Sequence, residues 1–232
     1  AITTLAAVQH DLLNRPDNAI ATLRRGLDNV DEDDQGALYE EIIETFLDFN
    51  RVDDAEKFWR DMNDADDEAE KDHLGLAKIQ MRRNDLEGAR ASAQKIASEP
   101  ARNHWLGLVE ARGHNFDTAR QLWADDLEEP GIDRWGFWYM WVELHLRLGE
   151  LDRVIEKVDL KKLRALASGY FYLAIAHAAK GNLERAADLS REGRAEMERR
   201  SRRIHWATIE RETRALADEL ELSPGVRQAI GI

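Results

Sequence analysis

The sequence has no cysteine, and its 232 residues include only 4 prolines and 14 glycines. Without cysteine there is no thiol nucleophile, no Cys-ligated zinc and no disulfide framework. No stretch approaches the roughly 18–20 apolar residues of a membrane-crossing helix, so no membrane insertion is expected. Scarce proline leaves few interior breaks and suits helices joined by short turns. Gly131 and Gly136 fit neither the P-loop nor the dinucleotide-binding glycine spacing, so no phosphate cradle is expected. No serine stands in a nucleophile elbow. The seven histidines, at 10, 73, 104, 114, 145, 177 and 205, include no pair at helical i, i+4 spacing and no HExxH. Asp64-Ala65-Asp66-Asp67 lacks the glycine and the spaced glutamate of a calcium loop. No metal, no cofactor and no catalytic residue is therefore expected, and the chain is read as not an enzyme.

What is present is charge, unevenly spread. Charged residues make up 34% of the chain and the formal net charge is −13. Residues 1–72 hold 21 acidic and 7 basic side chains, a net of −14, so the remainder sums to +1. The acid lies in blocks, Asp31 to Asp34 and then Asp64, Asp66, Asp67, Glu68 and Glu70, as solvated loops and helix ends carry it. Nucleic acid demands a basic stripe. The one basic cluster is Arg191, Arg194, Arg199, Arg200, Arg202 and Arg203. No nucleic-acid partner is expected from it.

One pattern recurs along the chain: a turn pair, an apolar residue, a few polar residues, then a small residue opening an apolar helix face. It reads NRPDNAIATL from Asn14, NRVDDAEKFW from Asn50 and NDLEGARASA from Asn84. It returns as HNFDTARQLW from His114, GELDRVIEKV from Gly149 and GNLERAADLS from Gly181. The small anchors are Ala19, Ala55, Ala89, Ala119, Val154 and Ala186, spaced 36, 34, 30, 35 and 32 residues apart. Asn14, Asn50, Asn84, Gly149 and Gly181 are expected to end helices, because Gly and Asn accept a left-handed backbone cheaply. Asp17, Asp53 and Asp85 are expected to cap or electrostatically favour the helix that follows.

A period near 34 with this content resembles the tetratricopeptide repeat. Leu106-Gly107 and the Trp138/Trp141 pair match the family's first-helix pattern, whereas Ile43, Ala77, Val142 and Ala174 replace its usual glycine. The resemblance covers about residues 1–200. It implies an all-α, right-handed α-solenoid of about six helix pairs. The repeats run about 1–34, 35–67, 68–99, 100–130, 131–165 and 166–200. The expected pairs are 1–13 with 17–29, 36–49 with 53–63, 68–83 with 86–98, 101–112 with 116–127, 133–148 with 151–164, and 166–180 with 183–199. A helix over 203–221 would cap the last apolar face. Ser223-Pro224-Gly225 is read as its stop, leaving 223–232 as a tail. Residues 1–222 thus form one domain. His10, His145 and His177 fall where the family places an inter-helix tyrosine and are read as packing histidines.

By the same resemblance the first helices line a concave groove, at positions seven, eleven, fourteen and fifteen before each anchor. In the second repeat these are Asp48, Glu44, Glu41 and Glu40, an acidic wall. Later repeats place Lys78, Arg82, Trp105, Arg112, Tyr139, Met140, Arg147, Phe171 and Tyr172 there. Arginines beside aromatics are what interface hot spots are made of. The carboxylate clamp of heat-shock-protein cochaperones is not expected, since only Lys71 fits it. The functional expectation is a non-catalytic scaffold or adaptor. It would bind a protein or peptide, acidic in character, in the groove of repeats three to six, with self-association as a further route. The alternatives are a nucleic-acid-binding helical repeat and a regulatory domain of a larger enzyme or regulator. No signal peptide is recognisable, and a start at Ala1 leaves room for a removed leader. The expected compartment is the cytoplasm, with the periplasm or a place inside a larger protein as alternatives.

Overall fold

The computed structural model describes residues 2–7, 9, 15–30, 32–63, 72–128, 135–158, 168–199 and 206–232. All regular structure among these residues is helical. The chain divides into two compact units, Ala1–Gly113 and His114–Ile232. Each is described by itself.

The first unit contains α1 (Ile2–Ala7), α2 (Pro16–Leu27), α3 (Glu32–Asp48), α4 (Val52–Asn63), α5 (His73–Arg82), α6 (Leu86–Ala93) and α7 (Glu99–Arg112). Each helix packs on the next, and α3 also touches α5. Its main core joins Ala19, Leu23, Ile42, Phe46, Ala55, Phe58 and Ile79, and a smaller one joins Ala77, Ala93 and Ile96.

The second unit contains α8 (Phe116–Leu122), α9 (Trp135–Arg147), α10 (Leu151–Lys157), α11 (Ser168–Ala179), α12 (Leu183–Arg199), α13 (Trp206–Glu219) and α14 (Pro224–Ile230). Here α9 packs on α10, α10 on α11 and α11 on α12, while α13 rests on α11 and α14 on α11 and α12. Trp141, Val154, Leu173, Ile175, Ala186, Leu189, Leu216 and Ile230 share one core.

The turns have a common local cause. Asn50 (φ 56°), Asn84 (φ 60°), Gly149 (φ 71°) and Gly181 (φ 84°) are all left-handed. At each, the next residue's N–H reaches back five residues: Arg51 to Phe46 O at 2.8 Å, and Asp85 to Gln80 O, Glu150 to His145 O and Asn182 to His177 O at 2.9 Å. This 6→1 bond satisfies a helix-end carbonyl and reverses the chain in two residues. His114 is left-handed too (φ 61°). Asn14 lies outside the described residues. Five residues after each described turn comes a small anchor, and Ala19 stands five residues after Asn14 in the sequence. Ala19, Ala55, Ala89, Ala119, Val154 and Ala186 are all 0% exposed.

The acidic turn residues divide their roles. Asp85 is a true cap, accepting from Gly88 N–H at 2.9 Å. Asp17 and Asp53 stand in the first turn of their helices. Asp17 receives Arg51 at 2.5 Å, Asp53 receives Arg83 at 2.5 Å, and Asp152 receives Lys180. Each pair ties one turn to the turn about one period earlier.

The expected tail is instead a helix. Ser223 caps α14 by accepting from Val226 N–H at 3.4 Å, and Pro224 occupies its first turn. Proline lacks only a donor that a first-turn residue leaves unpaired anyway, so Ser-Pro here starts a helix. A left-handed Glu221 (φ 52°) ends α13, with Leu222 N–H on Ala217 O at 3.0 Å.

Candidate interaction surface

In the first unit, α3 and α5 set their charges against one another. Lys78 is only 8% exposed, and its Nζ donates to Glu40 Oε1 at 2.7 Å and touches Glu44. Burial pulls its pKa down, but Glu44 and Glu40 outweigh that and hold it above the ordinary lysine value. The same ammonium lies 5.5 Å from the centre of the Trp105 ring on α7. Arg82 is more exposed and sits 3.9 Å from Asp48. The acidic wall of the second repeat and the cations of the third therefore compensate each other, and the wall is not a free repulsive surface. Glu40 and Glu44 keep 51% and 42% of their side-chain surface in solvent. Trp105 is half-buried against the Ala77–Ala93–Ile96 cluster. Arg112 donates from Nε to Asn84 Oδ1 at 3.3 Å and has no carboxylate partner among the described residues.

In the second unit, α9 carries Tyr139, Met140 and Arg147. The side chain of Tyr139 lies outside the described residues, and Met140 is half-buried. Arg147 is held on both sides. Nη1 meets Glu143 Oε2 at 3.0 Å on its own helix, and Nη2 meets Glu219 Oε2 on α13 at 2.8 Å. Burial pulls the guanidinium down, and Glu219 with Glu143 more than restores it. Tyr172 is buried and its hydroxyl donates to Glu143 Oε1 at 2.5 Å. Phe171 is 1% exposed. A Cβ added to Gly193 on α12 would stand 3.1 Å from its ring. Phe171 is a core residue and not a groove surface. Neighbouring positions on a helix point about 100° apart, so a register inferred to one residue separates the two cases.

A polar network in the second unit joins His145, Glu150 and Arg120. His145 is fully buried, its ring 4.1 Å from that of Trp141, and its Nδ1 is 2.6 Å from Glu150 Oε2. Arg120 donates to the other oxygen of Glu150 at 2.9 Å. Burial pushes the Glu150 carboxyl up, but Arg120 and His145 hold it below its usual value. The histidine is buried as a packing residue would be, with a carboxylate as partner. His10 lies outside the described residues, and His177 is half-buried.

The basic cluster is locally engaged. Arg191 pairs with Asp188, Arg199 with Glu196, and Arg194 donates to Gly231 O at 2.6 Å. Arg200, Arg202 and Arg203 lie outside the described residues. Among the described residues no group of three or more His, Asp or Glu is placed to hold a metal ion, and no helix is long and apolar enough to cross a membrane. No protein-family model matches the chain, and no curated protein matches it.

Proposed function

We propose that the protein is a non-catalytic interaction module built from tetratricopeptide-like helix pairs in a right-handed solenoid. It takes a protein or peptide segment on the faces of its first helices. The observation that carries this reading is the recurrent turn: a left-handed residue, a 6→1 hydrogen bond, and a fully buried small anchor five residues later. Such units hide their apolar faces only by stacking, and stacking leaves an extended side free for a partner.

In the first unit the contact residues are Trp105 and Arg112, which keep part of their surface in solvent; among the described residues Arg112 meets no carboxylate. Arginine's fork of donors suits a partner's carboxylate, and the indole supplies area at low entropy cost. Lys78 lies beside the Trp105 ring and pairs with Glu40 and Glu44. The cytoplasm is the proposed compartment.

The test places a photo-crosslinking amino acid at Arg112 and, as a control, at Lys57, an exposed position on α4. A discrete adduct in cells from position 112, absent from 57 and reduced by Trp105→Ala, is the expected result. Equal adducts at both positions overturn the assignment of the face.

A further inference from the structure

In the second unit the arginine read as a partner's anchor already has an anchor from the chain itself. Arg147 stands on α9, seven residues before Val154. Glu219 reaches it from α13, 72 residues along the chain, with Oε2 at 3.0 Å from Nε and 2.8 Å from Nη2. One carboxylate oxygen thus takes two donors of the guanidinium, a charge-assisted contact. The contact is well shielded, since Arg147 keeps only 15% of its side-chain surface in solvent. On the same helix Thr213, Leu216 and Ala217 are buried, and Leu216 joins the core built on α11. α13 is therefore an amphipathic helix with an apolar stripe and, at Glu219, a carboxylate that meets Arg147.

We infer that α13 is an internal occupant of the α9–α11 face. A partner of this unit is then a helical segment of the same chemistry, an apolar stripe with an acidic residue set against Arg147, and it binds by displacing α13. This rests on the interaction-module reading above and specifies the partner class for one unit. The physical consequence is competition. A face occupied from within is open in only a fraction of molecules, and apparent affinity for an outside segment falls by that fraction. Loosening α13 raises the open fraction and tightens outside binding without changing any contact on α9 or α11.

The experiment uses the full chain, as parent, Glu219→Lys and the milder Glu219→Gln. The probe is a fluorescein-labelled peptide of residues 206–222, with a second copy carrying Glu219→Gln. Fluorescence anisotropy reads binding, and hydrogen exchange with mass spectrometry reads protection of α13. Glu219→Lys sets an ammonium against Arg147. The expected result is faster exchange over α13 with α9 and α11 still protected, and probe binding about tenfold tighter than to the parent, the shift produced by a tenfold rise in open fraction. The Glu219→Gln peptide should bind more weakly than the unaltered peptide. Unchanged α13 protection in both variants, or equal probe affinity for parent and variants, overturns the inference and leaves α13 a plain structural cap. A variant that becomes a stable dimer by light scattering also overturns it, because α13 would then be exchanged between copies. A failed crosslink at Arg112 with a positive peptide result would remove the partner reading for the first unit while leaving α13 as the occupant of the second.

Discussion

Replacing Ala186 by leucine should destabilise the second unit, and the size of the effect can be worked from the α11–α12 contact. Ala186 is 0% exposed, and it shares one core with Ala174 and Ala178 of α11. One further heptad along α12, Gly193 lies so close to α11 that an added Cβ would stand 2.9 Å from Tyr170 Cβ and 3.1 Å from the Phe171 ring. The two helices meet across small side chains with no room in reserve. Three added carbons must push α12 away from α11 or force neighbours off their rotamers. Overpacking of this kind costs about 1–3 kcal/mol. At about 2–4 °C per kcal/mol for a chain of this size, the melting midpoint should fall by about 4–8 °C at the middle of that range. Circular dichroism at 222 nm during heating and in urea reads the change. Ala179→Leu is the control, since Ala179 is exposed on α11, and its effect should stay within about 0.5 kcal/mol. Hydrogen exchange should show protection lost first at α11 and α12. If Ala186→Leu unfolds within about 0.5 kcal/mol of the parent, the small anchors do not set helix separation and the repeat reading loses its physical basis.

Three further outcomes are expected. Gly181→Ala should cost about 1–2 kcal/mol from backbone alone, because φ is +84° and nothing lies within 4 Å of the new methyl; the urea midpoint checks it. The double change Glu40→Gln with Glu44→Gln strips a buried ammonium of both counter-charges. It should cost about 2 kcal/mol, below the buried-pair range because both carboxylates are about half exposed, and Lys78→Met in that background should recover most of the loss. His145 is held below the ordinary histidine value, chiefly by burial and despite Glu150. The unfolded chain therefore takes up the proton first on acidification. The histidine's contribution is complete above about pH 6.5 and is lost as pH falls from there, so denaturation at pH 7.5 and 5.5 should show a larger drop for the parent than for His145→Gln.

The turns and anchors were the most legible part of the fold. Asn50, Asn84, Gly149 and Gly181 are left-handed, as their residue types suggest, because so few residues accept that backbone. The buried anchors followed from the same pattern, since a small residue at fixed distance from a turn has little other reason to recur. Less legible was which side of a first helix a residue takes. Phe171 and Tyr172 are adjacent, and both are buried, yet only Tyr172 carries a hydroxyl to a carboxylate on α9. Composition does not resolve a 100° rotation. Charge pairing could have been found by spacing. Lys78 lies 34 residues from Glu44, Arg82 34 from Asp48 and Arg51 34 from Asp17, one period each. Reading the aligned repeats down the columns, rather than along the chain, brings each cation to its acid. The α14 helix is hidden because Ser-Pro after a helix reads as a stop, whereas serine as a cap and proline in the first turn mark a start.

This column-wise pairing changes what recognition on these faces would require. A bare arginine attracts any carboxylate and gains most of the charge-assisted bond. An arginine already held by Glu143 and Glu219, or a lysine held by Glu40 and Glu44, must release one carboxylate to accept another. The exchange is nearly balanced in charge, so it supplies little net free energy. Affinity must then come from apolar area, of which Trp105 in the first unit offers a half-buried example. Charge would govern which carboxylate fits and how fast it arrives. Arg112 is the exception among these cations: among the described residues its guanidinium meets the neutral Asn84, at 3.3 Å, and no carboxylate. Arg112→Glu should therefore slow partner association and flatten its dependence on salt more than Arg82→Glu does. Stopped-flow association rates between 50 and 300 mM salt separate the two, and an equal loss for both variants would show that pairing with Asp48 leaves Arg82 as available as Arg112.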